Sequence, residues 1–220
     1  MAYYSIFPEK DTTIYSHPDR INMNTGADEA LELVEEKLST STNQFYSSRI
    51  LMRFKNEDIK DVIESKIIKP INTANCEIGL ELFSAEHKNL AKDHIIEVYP
   101  LSESMSWEEG TQRYDANPPS VTTGSFQAAN GATWIYRTES TASAWPTGSF
   151  STGVTGSYTK KAGGGVWYKD AAFKATNNFF AAGDNLDLNL DVTTIVQKFS
   201  ASYYQGAAYP TGIPNSGFII

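Results

Sequence analysis

The stretch Ser47-Ser48-Arg49-Ile50-Leu51-Met52-Arg53-Phe54 constrains the fold more than any other, because its two-residue periodicity is the clearest in the chain. Ile50, Met52 and Phe54 fall on one face, and Arg49, Leu51 and Arg53 on the other, which is the pattern of a half-buried strand. Asn56-Glu57-Asp58 then supplies a cap and an acidic first turn, and Ile59, Val62 and Ile63 recur at helical spacing. The period returns to two around Cys76, with Ile78, Leu80 and Leu82 on the inward face. A strand, a short amphipathic helix and a second strand therefore frame the fold.

The same switch recurs near the end of the chain. Asn185-Leu186-Asp187-Leu188-Asn189-Leu190 places a leucine at every second position, and Asp191 can cap a helix whose apolar face is Val192, Ile195, Val196 and Phe199. Further strands are predicted at 5–7, 11–16, 95–101, 132–137 and 165–169, and a closing strand at 217–220. Residues 30–35 combine Glu and Ala, which favour helix, with a Leu31/Leu33 alternation, which favours strand; we read a strand. The polar run 39–44 makes a hairpin-like connection into the central strand. Residues 104–119 hold Gly110 and paired prolines that forbid long regular structure, so their aromatic residues lock an ordered loop. The Thr, Ser, Ala and Gly-rich segment 138–164 is an extended loop, or a hairpin with arms at 149–152 and 156–159.

At 220 residues the chain is long enough to bury a core without staples. Its single cysteine, Cys76, excludes an internal disulfide and reads as a small buried apolar residue in a strand. The first residues lack a basic region followed by an apolar run, so they do not read as a signal peptide, and no stretch approaches the roughly 20 apolar residues that span a bilayer. Synthesis in a cytoplasm is the expectation. With a net charge of −8, a pI near 4.9 and scattered lysines and arginines, the footprint of a nucleic-acid binder is missing.

Reaction chemistry is equally hard to place. Asp184, Asp187 and Asp191, with Asn185 and Asn189, are oxygen-rich enough to suggest calcium, but the alternate leucines explain them as the solvent face of a strand, and the glycine-hinged EF-hand loop is missing. Adjacent Glu108 and Glu109 point apart in an extended segment, which makes a poor acid/base pair. His17, His87 and His94 are widely separated and outside any zinc spacing. No nucleophile elbow or dinucleotide fingerprint occurs, and Gly163-Gly164-Gly165 reads as a flexible turn. We therefore expect no enzyme, no cofactor and no metal. Trp107 and Trp167 suit a core. Trp145, set beside Pro146 in a Ser/Thr/Gly loop, suits an intermolecular contact or ligand surface, and with Trp134 and Tyr158 it forms the candidate contact set.

The order of these pieces resembles a known family. Asp11-Thr12-Thr13-Ile14-Tyr15 precedes a glycine loop and a Leu31-x-Leu33-x-Glu35 segment; Ser48 to Phe54 leads into the short helix; Ile78-x-Leu80-x-Leu82-Phe83 follows. The loop Trp107-Glu108-Glu109-Gly110-Thr111 runs to Asn117-Pro118, then Leu190-Asp191-Val192-Thr193-Thr194-Ile195-Val196-Gln197-Lys198-Phe199 and Gly217-Phe218-Ile219-Ile220 close the chain. This is similar to the DNRLRE-type β-sandwich, which is related to one class of carbohydrate-binding modules and is also found in virion proteins of tailed bacteriophages. Arg113-Tyr114 stands where the family often has a second Trp, and 120–183 is longer than in a minimal module. Cell-surface members follow a signal peptide, which favours the phage-like members here.

The resemblance implies an all-β fold: a single antiparallel β-sandwich over 1–220, jelly-roll-like, with two short helices and an insertion at about 138–164. It further implies a non-enzymatic virion protein of capsid, neck or tail. Such a protein would partner other virion proteins in a homo-oligomer or symmetric repeat, with no nucleic acid and no membrane. The alternative is a module recognising a bacterial surface glycan.

Overall fold

A computed structural model describes residues 3–37, 45–65, 76–86, 93–101, 106–114, 130–139, 143–145, 163–168, 174–180, 187–197, 199 and 215–220. The elements are β1 (Lys10–Tyr15), β2 (Glu35–Lys37), β3 (Phe45–Arg53), α1 (Asn56–Glu64), β4 (Gly79–Leu82), β5 (Asp93–Pro100), β6 (Ala175–Phe180), β7 (Leu188–Asp191), α2 (Thr193–Val196) and β8 (Phe218–Ile219). The fold is all-β: among the described residues every strand pair is antiparallel and there are two short helices. One sheet runs in the order β1-β3-β8-β5-β6, with β2 also on β3, and β4 pairs with β7 in a second; neither closes into a barrel.

The chain end sits in the middle of the larger sheet. Leu51 pairs with Ile219 and Met52 with Phe218, while Tyr99 and Pro100 pair across the other edge of β8. Alternation along these strands sends Ile50, Met52, Val98, Phe218 and Ile220 to one face. There they meet Leu80, Leu188 and Leu190 of the smaller sheet and Val192, Ile195, Val196 and Phe199 around α2. The ring of Phe218 lies between those of Phe54, at 6.2 Å, and Phe199, at 5.8 Å.

The opposite face is not solvent. Leu51 is fully buried, and Ile14, Leu101 and Ile219 join it in a second cluster with Trp107, Ala132, Trp134 and Trp145. The half-buried strand expected at 47–54 is thus a strand buried on both faces. Its second covering comes from irregular segments distant in sequence, which alternation within β3 cannot reveal.

Other expectations shift for local reasons. Residues 5–7 form no strand, and Phe7 is exposed. The strand read at 30–35 begins only at Glu35, because hydroxyls take the place of the ladder before it: Glu32 N donates to Thr13 Oγ1 at 3.0 Å, and Val34 N to Ser48 Oγ at 2.7 Å. Among the described residues, the strands expected at 132–137 and 165–169 make single bridges, Tyr136 to Ala144 and Leu101 to Trp167, and residue 169 lies outside them. β6 went unread, since Asn177 and Asn178 are poor strand formers; it is held by a six-residue register with β5.

Cys76 lies half-buried just before β4 and outside any strand, packed against the first cluster. The N-cap of α2 is Val192, which makes no side-chain cap bond, so the cap expected from Asp191 falls one residue early: its Oδ1 accepts from Thr193 N at 2.9 Å, and α2 is a single turn. The proposed hairpin arms, the 39–44 connection and Tyr158 lie outside the described residues.

Candidate functional site

The loops of the second core are tied to one another at one buried side chain. Asn24 is fully buried; its Nδ2 donates to Glu109 O at 2.6 Å and Ala132 O at 2.9 Å, and its Oδ1 accepts from Gly26 N at 3.3 Å and Gln112 N at 3.4 Å. Three segments meet there with no room for a Cβ. One on Gly26 would lie 2.0 Å from Glu109 O, and one on Gly110 would lie 2.0 Å from Asn130 O. The same layer seals the outer edge of β1. Ser16 N donates to Ser47 O, so the alternating ladder leaves the N–H groups of Asp11 and Thr13 facing outward. Glu109 Oε1 accepts the first at 2.9 Å and Thr25 Oγ1 the second at 3.0 Å, which closes an edge that could otherwise pair with another chain.

Arg49 joins the sheet to the next loop. Its guanidinium lies 4.6 Å from the ring centroid of Trp134 and 4.7 Å from that of Trp167, and it donates to Gly164 O. Gly163, Gly164 and Gly165 are buried, all have positive φ, and Cβ atoms on Gly163 and Gly164 would strike Trp134. They form a fitted seat for the ring, which corrects the flexible turn expected there. Lys10 repeats the device over Trp107, 4.3 Å from its centroid.

The candidate contact residues therefore separate. Trp145 is 1% exposed, and its Nε1 donates to Thr133 O at 2.9 Å; Trp134 is 2% exposed. Both belong to the second core, so neither offers a ring for an external partner. Composition is a poor guide here: a Ser/Thr/Gly setting suits a surface loop, but Trp145 N donates to Ile135 O and Gly163 and Gly164 press against Trp134, which holds both indoles inside. Trp107 is buried as expected, and Trp167 is half-buried at the rim beside Tyr99.

The carboxylates hold main chain. Glu108 Oε2 accepts from Glu139 N and Glu109 Oε1 from Asp11 N, so the pair diverges. Asp187 accepts from Ser84 N and Asp191 from Thr193 N. Among the described residues no group of three or more His, Cys, Asp or Glu could hold a metal ion, and no helix is long and apolar enough to cross a membrane.

Asp11 stands out for a different reason. Burial, and then the neighbouring Glu109 charge, raise its carboxyl above the ordinary value. A folded-state pKa above the unfolded one means that ionisation destabilises the fold above that pKa, and that the penalty disappears as pH falls below it. Asp11→Asn should therefore raise the melting temperature at pH 7, with the advantage vanishing near pH 3, where about all carboxyls are protonated. Paired thermal melts at the two pH values check this; an unchanged or lower melting temperature at pH 7 contradicts it.

Exposed apolar surface concentrates at the start of the chain. Tyr3 is 77% and Phe7 81% exposed, and Tyr4 is about half exposed, in a segment without regular structure. Residues 4–9, with Lys55 and Asp58, line a groove of about 460 Å³. Pro8 disfavours a helical conformation at Phe7 and biases it toward extended backbone. The aromatic run before Pro8 is the sequence signal for this surface, although its apolar composition equally suits the edge strand expected there. Comparison with family models, curated proteins and solved structures returns no match.

Proposed function

We propose that this chain is a non-enzymatic structural component of a bacteriophage virion, in capsid, neck or tail, which assembles by protein contacts. The observation that carries this reading is the exposed N-terminal segment, with Tyr3, Tyr4 and Phe7 offered to solvent within five residues, whereas among the described residues all four tryptophans are buried in or packed against a core. Large exposed rings on a short extended arm provide contact area rather than chemistry. The motif order that resembles virion members of the DNRLRE-type family supports the same reading. In its finer form the two sheets make a jelly-roll-like sandwich, repeated according to the symmetry of the particle.

A carbohydrate-binding role draws less support, because Trp134 and Trp145, the rings it would need, are buried. Mass spectrometry of purified virions tests the proposal. The chain should be present at many copies per particle, and particles that lack it would refute the assignment.

A further inference from the structure

The two ends of the sheet system are treated differently. The outer edge of β1 is closed by Glu109 and Thr25. Among the described residues, nothing closes the outer edge of β4. Val192 N donates to Ile78 O at 2.9 Å, so the alternating ladder to β7 continues through Leu80 and Leu82, and the main-chain groups of Gly79 and Glu81 face away. No described residue pairs with them.

We propose that the segment Tyr3 to Phe7 of one copy adds as a strand to the outer edge of β4 in a second copy. The two pieces match in length and period. Centring Ser5 on Glu81 works for either strand direction and sets Tyr4 and Ile6 beside Leu80 and Leu82, which pack on the first core. Tyr3 and Phe7 then lie on the solvent face with Gly79 and Phe83. Phe83 is 79% exposed, and Gly79 has nothing nearer its Cβ position than Asn189 Oδ1 at 3.5 Å, so a ring can cover the glycine.

Charge selects the occupant. Two β4 edges laid together on this register would set Glu81 against Glu81 in a chain already at −8, whereas Tyr3 to Pro8 carries no charge. Because each copy carries both arm and edge, the contact is head-to-tail and propagates. A strand this short buries less than the roughly 800 Å² per partner of a stable pair, so a single contact is weak and repetition strengthens it. The contact is independent of the virion assignment, since purified chain alone suffices to test it.

The test is disulfide trapping in a Cys76→Ser background. A tagged Ser5→Cys chain is mixed with an untagged Glu81→Cys chain under mild oxidant, and compared with the same tagged chain mixed with Asp19→Cys, another exposed position. The first pair should cross-link on the order of tenfold faster, reflecting its raised local concentration. Tyr3→Ser/Tyr4→Ser/Phe7→Ser in the arm should abolish the advantage. The chain carrying both cysteines should give a ladder of linked multimers. Equal rates for the two pairs, an advantage that survives loss of the rings, or closure of the double-cysteine chain into a cross-linked monomer would each overturn the proposal.

Discussion

Leu51→Ala should destabilise the protein by about 3 kcal/mol, within the roughly 2–5 kcal/mol found for deleting a buried leucine side chain. Leu51 is fully buried where β1, β3 and β8 meet the indole layer, and its neighbours Ile14, Leu101 and Ile219 are fixed in strands or bridged to them. A cavity there has few ways to collapse, which keeps the loss above the bottom of the range. Against a typical total of about 5–15 kcal/mol, that is a large fraction. Ile95→Ala on β5 is the comparison: its side chain is 64% exposed, and its loss should change stability by about 0.5 kcal/mol or less. Denaturant unfolding of both variants separates a sheet covered on two faces from one with a wet face, for which Leu51→Ala would resemble Ile95→Ala.

Gly110→Ala should be at least as damaging. The position has φ +86°, a region that a residue with a Cβ enters at a cost of about 1–2 kcal/mol. Its Cβ would also lie 2.0 Å from Asn130 O and 2.1 Å from Asn24 Oδ1. Relief requires the main chain or Asn24 to move, and moving Asn24 strands some of the buried groups it now satisfies, each at about 1–3 kcal/mol. The total exceeds about 3 kcal/mol, and the loop carrying Trp107 should loosen from the sheet. Gly79→Ala provides the contrast, because the nearest atom is 3.5 Å away and no positive φ is involved. It should shift stability by a few tenths of a kcal/mol, about the scale of an unstrained glycine replacement. Similar losses at both glycines would contradict the geometry around Asn24.

These two positions also mark what the sequence could show. Alternation placed β3, β4 and β7, because each sends apolar side chains to a core at every second residue; β-branched and aromatic runs placed β1, β5 and β8, and the acids after Phe54 placed α1. Alternation fails where a polar side chain does the work of a ladder. Thr13 and Ser48 carry the main chain of residues 32–34, which moved the expected strand to Glu35–Lys37. It fails again at Asn24, which joins segments 85 and 108 residues away in the chain through side-chain hydrogen bonds that leave no periodic trace. The glycines Gly26, Gly110 and Gly131 were a visible sign, each at a close approach, but nothing local says that they meet. For the contact residues, loop composition was a poor guide to exposure: the Ser/Thr/Gly surroundings of Trp145 allow tight packing as readily as they allow solvation. The exposed rings lie in an uncharged run before Pro8 that had been read as an edge strand.

The central claim is that the larger sheet has a second core built from irregular loops around tryptophan. Collisional quenching of tryptophan fluorescence by acrylamide in the native protein tests it most directly, since Trp107, Trp134 and Trp145 are each 2% exposed or less and Trp167 is half-buried. The expected result is blue-shifted emission with most of the intensity protected until the protein unfolds. Red-shifted, fully quenchable emission from folded protein would show that these loops do not cover the sheet.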